Sequence, residues 1–413
     1  MTERVVITGM GTVNPLGHTV AETWQAALEG TSGVAPITLF DSSSLKVHIA
    51  AEVKNFDPTR AIDRKEVRRT SRFEQFALVA AQEAIAQAGL SADEENPYRV
   101  AVIVASAIGG LERLSENILI AHQREPSRIS PFVIPMMMSN GAASLIAMHH
   151  GFQGPSFSTA SACASGNDAI GVAWQMIRSG MADAAITGGS EATITFTGVG
   201  AFDRLGALSR RNDDWSMTPQ PFDKNRDGLV MGEGAGILVL ESERHAKARG
   251  AEILAELAAY GATADAYHVT APHPEGAAGA KAILLALEAA GIPPDEVDYI
   301  NAHGTATQLN DVSETRAIKR AFGEQAYRIP ISSTKSMTGH MMGSTGALEA
   351  IFCIQAIREG MVPPTIHYET PDPECDLDYV PNEAREHPAH VAISNAFGFG
   401  GHNAILVFRK YGG

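Results

Sequence analysis

One cysteine and two histidines in this chain sit in settings where side chains can do chemistry. Cys163 lies within Pro155-Ser-Phe-Ser-Thr-Ala-Ser-Ala-Cys163-Ala-Ser-Gly-Asn-Asp-Ala-Ile-Gly171. The β-prone run Phe157 to Thr159 ends in small residues. Ile170, Ala173, Trp174 and Ile177 then recur at helical spacing, and Gly180 supplies a stop just past Arg178. The cysteine is therefore expected at a strand-to-helix turn, where unpaired N–H groups and the positive end of the helix dipole favour thiolate over thiol. The blander alternative for a lone cysteine is a buried structural role. His303 follows a strand-like run in Val297-Asp-Tyr-Ile-Asn-Ala-His303-Gly-Thr305-Ala-Thr307, and His340 belongs to Ser333-Thr-Lys335-Ser-Met-Thr-Gly-His340-Met-Met-Gly343. Gly- and Thr-rich turns suit core packing poorly. A sulfur nucleophile with two imidazoles points to acyl chemistry, in which a thiolate takes the acyl group and N–H donors hold the oxyanion. Metal ligation by the histidines is discounted, since there is no HExxH pattern and no evident carboxylate ligand.

The elements that must hold these residues are α/β in pattern. Apolar strands are expected at Val5 to Thr8, Arg99 to Val104 and Ala184 to Glu191, and an Ala-rich helix at Phe73 to Ala88 closed by Gly89. Gly9 and Gly11 follow the first strand without the G-x-G-x-x-G spacing, so a tight turn is expected there and not a nucleotide loop. Residues 200–228 form a long polar stretch, expected as loop. The second half repeats the grammar of the first. A shift of 180 positions aligns Gly166 with Gly346, Gln175 with Gln355, Ile177 with Ile357, Arg178 with Arg358 and Gly180 with Gly360. An internal duplication follows, with its seam near 245–260 and halves of 1–251 and 252–413.

Composition excludes several classes. The 413 residues are long enough for two domains. A formal net charge of −15 argues against general nucleic-acid binding, and no apolar run approaches the ~20 residues of a membrane span. Three cysteines without CxxC spacing, and a start that lacks signal-peptide character, suit a reducing cytoplasm. Met136-Met137-Met138 is expected in core or interface packing. The cations of Asp63-Arg-Lys65-Glu-Val-Arg68-Arg69 are by themselves a solvated face.

Four blocks, in this order, resemble the elongating branch (KAS I/II) of the β-ketoacyl-acyl-carrier-protein synthases. They are Thr159-Ala-Ser-Ala-Cys163-Ala-Ser-Gly, Asn301-Ala-His303-Gly-Thr-Ala-Thr307, Ser333-Thr-Lys335-Ser-Met-Thr-Gly-His340-Met-Met-Gly, and Asn395-Ala-Phe-Gly-Phe399-Gly-Gly401-His-Asn403. The resemblance runs nearly end to end. A thiolase would carry a second cysteine near Gly398–Gly401, and an initiating synthase would have Cys-His-Asn in place of Cys-His-His. The resemblance implies the thiolase fold: five layers, α-β-α-β-α, from two duplicated βαβαβαββ halves, usually as a homodimer. It implies condensation of acyl-ACP with malonyl-ACP, needing no metal and no organic cofactor, in fatty acid elongation. The alternatives are a polyketide-type ketosynthase, a KAS I-like elongating synthase and a scaffold homologue without turnover.

Carried over residue by residue, Cys163 is the nucleophile, and His303 and His340 bind the malonyl thioester. The N–H groups of Cys163 and Phe399 form the oxyanion hole. Lys335, paired with Glu314, balances charge, and Asp311 is a supporting acid. Thr305 and Thr307 bind the pantetheine arm. Ile108, Phe202 and Phe399 shape the acyl pocket, with Ile108 favouring the KAS II type and Phe399 acting as a gate. Lys65, Arg68 and Arg69 dock the acyl carrier protein. Two departures stand out: Gly206 where a basic residue can occur at the mouth, with Arg204 or Arg210 as substitutes, and Asp168 early in the cysteine helix.

Overall fold

The computed structural model describes residues 3–412. The first half contributes strands β1 (Val5–Val13), β2 (Val100–Ala105), β3 (Ser156–Phe157), β4 (Ala184–Glu191) and β5 (Gly234–Ser242). The second contributes β6 (Ala255–Ala264), β7 (Tyr299–Asn301), β8 (Ile331–Ser332), β9 (Val391–Gly398) and β10 (His402–Arg409). They lie in the order β8-β7-β9-β10-β6-β1-β5-β4-β2-β3. Within each half the order is the same: third, second, fourth, fifth, first. In both, the second, third and fourth strands are parallel and the fifth runs antiparallel to its neighbours. The two sets join where β1 pairs with β6, at Val6 with Glu256 and Ile7 with Ala255.

Strands buried on both faces need apolar residues throughout, and β1, β2 and β4 are buried along their whole length. Helix α1 (Arg72–Ala88) covers the outer face of the first half. Helices α2 (Ser165–Arg178) and α5 (Thr345–Glu359) lie between the two sets of strands, while α3 (Ala277–Ala290) and α4 (Gln308–Phe322) cover the second half. The result is the five-layered arrangement that the family resemblance implies. The apolar face anticipated for α2 is buried at Ile170, Ala173, Trp174 and Ile177. Isoleucines such as Ile170 and Ile177 contribute about 1.5–3 kcal/mol each when removed from water. The Trp174 indole N–H also donates to the Leu257 carbonyl of β6 at 2.9 Å.

The two central helices touch through the glycines aligned by the repeat. A Cβ on Gly166 would lie 3.0 Å from Ala347 N and Gly343 O, and one on Gly346 would lie 2.2 Å from Asn167 Oδ1. Gly180 and Gly360 end the two segments in the left-handed region, at φ 74° and 67°.

Two local expectations change. Gly9 and Gly11 do not form a turn but stay in β1, because α1 presses against the strand there: an added Cβ would come within 2.1 Å of Ala84 O and 2.0 Å of Ala80 O respectively. The polar stretch 200–228 is not all loop, since the helix Phe196–Arg204, capped by the Thr195 hydroxyl, runs into it. Local capping outweighed composition at that point. Among the described residues no helix is long and apolar enough to cross a membrane.

Candidate active site

Cys163 sits just ahead of α2, as its context requires. Ala162 takes φ 51°, a conformation that non-glycine residues seldom adopt. Hydrogen bonds from Ala164 N to Ser161 O (3.1 Å) and Ser165 N to Ala162 O (3.2 Å) close the turn. Gly398 backs it, since a Cβ there would lie 2.7 Å from Ser161 O and 3.1 Å from Cys163 N. The N–H groups of Phe399 and of Cys163 itself are directed at the sulfur.

The second half brings the histidines. His303 follows β7; its N–H and that of Gly304 donate to Glu314 at 2.8 and 2.7 Å, and Asn395 adds a third bond at 3.2 Å. His340 is held by the first half: its N–H donates to Val230 O at 2.7 Å and its carbonyl accepts from Gly232 N at 2.8 Å. Its Nδ1 meets the Thr345 hydroxyl at 3.0 Å, leaving Nε2 as the remaining ring nitrogen. The two imidazoles stand 5.4 Å apart at 86°. A sulfur and one nitrogen from each histidine all lie within 4.8 Å of one another. They share a cavity of about 280 Å³ whose wall includes Thr305, Thr307, Phe202 and Phe399. The two hydroxyls are 3.0 Å apart, and the Phe202 and Phe399 rings stack at 6.4 Å.

Electrostatics here is governed by burial. Desolvation holds both imidazoles well below their ordinary value, with Lys335 pushing the same way, so both are neutral near pH 7. The cysteine corrects the expectation of a lowered pKa. It is only 8% exposed, and burial pushes the thiol up to about 11 against the opposing pull of Phe399 N–H and Lys335. Removing the charged form from water outweighs the two N–H groups and the lysine charge.

Lys335 is a second correction. Its Nζ pairs with Glu349 Oε1 at 2.5 Å, with both side chains almost fully buried, and not with Glu314. Glu314 is already taken up by the backbone of the His303 turn. Burial raises both acids to about 7, and Lys335 opposes the rise in each. Asp311 accepts from Thr305 N–H at 3.1 Å and Phe222 N–H at 2.8 Å, fixing the turn that carries the two threonines.

Four other residues singled out in the sequence stand outside that wall. Ile108 does not line the cavity and is 37% exposed. Its loop is tied down by Glu191, which accepts from the Ser106 hydroxyl (2.8 Å) and from the N–H groups of Ala107 (2.8 Å) and Ile108 (3.3 Å). Lys65, Arg68 and Arg69 are exposed around the short helix Arg64–Val67 and also stand outside the cavity wall. Gly206 does line the mouth; beside it Arg204 is exposed, whereas Arg210 is engaged by Asp203 at 2.8 Å. Sequence reasoning assigned Glu191 no role, although a carboxylate ending a buried strand was a usable signal. It also accepts from Gly343 N–H at 3.1 Å, so one buried acid ties the first half to the loop after His340.

Comparison with known proteins accounts for this arrangement. Residues 2–246 match the family model "Beta-ketoacyl synthase, N-terminal domain" and residues 254–369 the model "Beta-ketoacyl synthase, C-terminal domain". The chain is 51% identical over 409 residues to the 3-oxoacyl-[acyl-carrier-protein] synthase 2 of Synechocystis sp., covering 99% of this chain and 98% of that one. It is 50% identical over 413 residues to the protein of the same name from Staphylococcus aureus (strain COL), covering 99% of each. Among solved structures it superposes with a TM-score of 0.92, at 37% identity and 100% coverage of both chains, on a chain from a type II PKS acyl-carrier protein in complex with its ketosynthase bound to the hexaketide. With both halves matched and the likeness running the full length, this chain belongs to the β-ketoacyl synthase family.

Proposed function

We propose that the protein is an elongating 3-oxoacyl-[acyl-carrier-protein] synthase of the second type, condensing acyl-ACP with malonyl-ACP in fatty acid synthesis. The observation that carries this reading is the convergence of Cys163, His303 and His340 on one cavity. In the first half-reaction Cys163 Sγ attacks the acyl thioester carbonyl. The Cys163 and Phe399 N–H groups hold the tetrahedral oxyanion, and collapse expels the carrier's thiol, which takes up the cysteine proton. Malonyl-ACP then binds with its pantetheine arm along Thr305 and Thr307. As its carboxylate leaves as CO2, the bonding pair becomes an enolate whose oxygen accepts hydrogen bonds from the two imidazoles. With the Thr345 hydroxyl donating to His340 Nδ1, Nε2 carries the proton needed for this. Neutral rings suit the task, since each keeps an N–H without adding charge. The carbanion attacks the acyl-cysteine, the C–S bond breaks, and 3-oxoacyl-ACP departs two carbons longer. Lys335 with Glu349, Glu314 and Asp311 position these groups, and Phe399 against Phe202 gates the acyl pocket.

The carrier protein is taken to dock on Lys65, Arg68 and Arg69, with Arg204 beside the mouth. A homodimer is also proposed: exposed large apolar side chains, among them Ile108, Ile118, Ile134, Met138 and Phe157, recur in the stretch 108–157 that runs into the edge strand β3. The halves are taken as 1–251 and 252–413. A polyketide-type ketosynthase is the second reading, supported by the 0.92 superposition but at 37% identity against 51% for the fatty acid relative.

Mass spectrometry of the protein incubated with acyl-ACPs of varied length tests the proposal. An acyl adduct on Cys163, followed by 3-oxoacyl-ACP on adding malonyl-ACP, is expected. Adducts only on Cys353 or Cys375, or no condensation product, would overturn it, and preferential loading by polyketide-type starters would select the second reading.

A further inference from the structure

Asp168 falls outside the site as described, yet it connects that site to the other half of the chain. It occupies the first turn of α2, where the helix dipole favours a carboxylate. One of its oxygens accepts from the Ser161 hydroxyl in a short hydrogen bond, and the other accepts from the Tyr260 hydroxyl at 2.6 Å. Ser161 stands two residues before Cys163, on the far side of left-handed Ala162. Tyr260 belongs to β6, in the second half. Its ring lies flush against Gly171, where an added Cβ would lie 2.4 Å from the ring carbons. Gly171 and Asp168 are three residues apart and so share a helix face. The ring rests on one and the hydroxyl reaches the other. Burial and the Asp168 carboxylate keep the Tyr260 phenol well above its ordinary value, so it remains a donor.

We infer that Asp168 is a positioning residue for the nucleophile, clamping the Cys163 turn between α2 and β6 through Ser161 and Tyr260. This rests on Cys163 being the acyl acceptor proposed above. The strain gives the clamp its purpose. A non-glycine residue at φ 51° costs about 1–3 kcal/mol and persists only where its surroundings over-determine it. Ser161 N–H to Ser165 Oγ (2.8 Å) and Ser165 Oγ–H to Ala162 O (2.6 Å) supply part of that constraint. The two bonds to Asp168 are charge-assisted and therefore the stronger ones. With them gone, Ala162 can relax, and the sulfur moves relative to Phe399 N–H and the imidazoles. The histidines themselves are held from elsewhere, by Glu314 and by Val230 to Gly232, so the clamp acts on one half-reaction.

The test measures the two half-reactions separately in Asp168→Asn and Tyr260→Phe. These are acyl transfer from acyl-ACP to Cys163, followed by mass spectrometry, and release of CO2 from malonyl-ACP. Acyl transfer is expected to fall about tenfold or more in Asp168→Asn and less in Tyr260→Phe, since a small displacement of a reacting atom costs rates of that order. Decarboxylation should stay within about twofold, a split that a general loss of folding does not produce. Unchanged acylation, or an equal fall in both half-reactions, overturns the inference. Should Asp168→Asn fail to fold, the Tyr260→Phe split decides alone. Failure of the parent protein to form any acyl-cysteine would instead refute the functional proposal beneath it.

Discussion

The turn before α2 and the turn before α5 occupy the same place in the two halves, share one left-handed residue and differ in their side chains. A shift of 180 residues superimposes Ser165, where α2 begins, on Thr345, where α5 begins. It also superimposes Ala162 on Met342, both left-handed at φ 51° and 46°. The backbone device is thus repeated, strain included. The chemistry is not. Cys163 corresponds to Gly343, and His340 corresponds to Ala160. Where one half carries a reactive group, the other carries a small residue. A Cβ on Gly343 would lie 2.6 Å from Ala107 N and 2.8 Å from Glu191 Oε2, so the second turn is committed to close backbone contact. The duplicated scaffold supplies two equivalent turns facing one cavity, and division of labour between them makes the site.

That comparison can be broken at four points. Replacing the nucleophile, Cys163→Ala, should lower condensation by at least ~10³-fold in a steady-state assay, because nothing at Gly343 can substitute for it. A retained rate would mean that the first turn is not the reactive one. Removing either imidazole, His303→Ala or His340→Ala, should slow malonyl decarboxylation by about 10²–10³-fold, the usual loss for one preorganised donor. If only one variant is slow, the enolate oxygen is held from one side. Third, alkylation of Cys163 by iodoacetamide should climb about a hundredfold between pH 7 and pH 9, since a thiol raised to about 11 gains thiolate roughly tenfold per unit throughout that range. A plateau beginning near pH 7 would show that the helix end and the two N–H groups outweigh burial after all. Finally, Gly346→Ala should destabilise the fold by about 1–3 kcal/mol in urea unfolding, because its Cβ has no space beside Asn167. An unchanged midpoint would remove the tight helix crossing from the account.

Much of this architecture could be read from the chain. The position of Cys163 follows from a β-prone run, small residues and a helical stripe in immediate succession, all local signals. The duplication was visible because Gly166 and Gly346 cannot grow at a helix crossing. The two glycines of β1 were misread because their cause, the pressure of α1, comes from residues some seventy positions away. The partner of Lys335 was missed for the same kind of reason. Glu349 is one helical residue among many, and only the fold shows that Glu314 is occupied by the His303 turn. The direction of the thiol's shift needed the extent of burial, which motif and dipole arguments do not contain. Asp168 looked out of place in sequence, and its meaning depended on Tyr260 arriving from the other half.

The neutrality of the two imidazoles bears on which way the proposed chemistry runs. The carboxylate of a malonyl thioester entering this chamber exchanges bulk water for a wall that includes phenyl rings, two uncharged heterocycles and a pair of threonine hydroxyls, with Lys335 already engaged by Glu349. Carbon dioxide gives up almost nothing in the same space. The walls therefore penalise the bound anion and tolerate the gas, so among the bound species the chamber itself favours loss of the carboxylate.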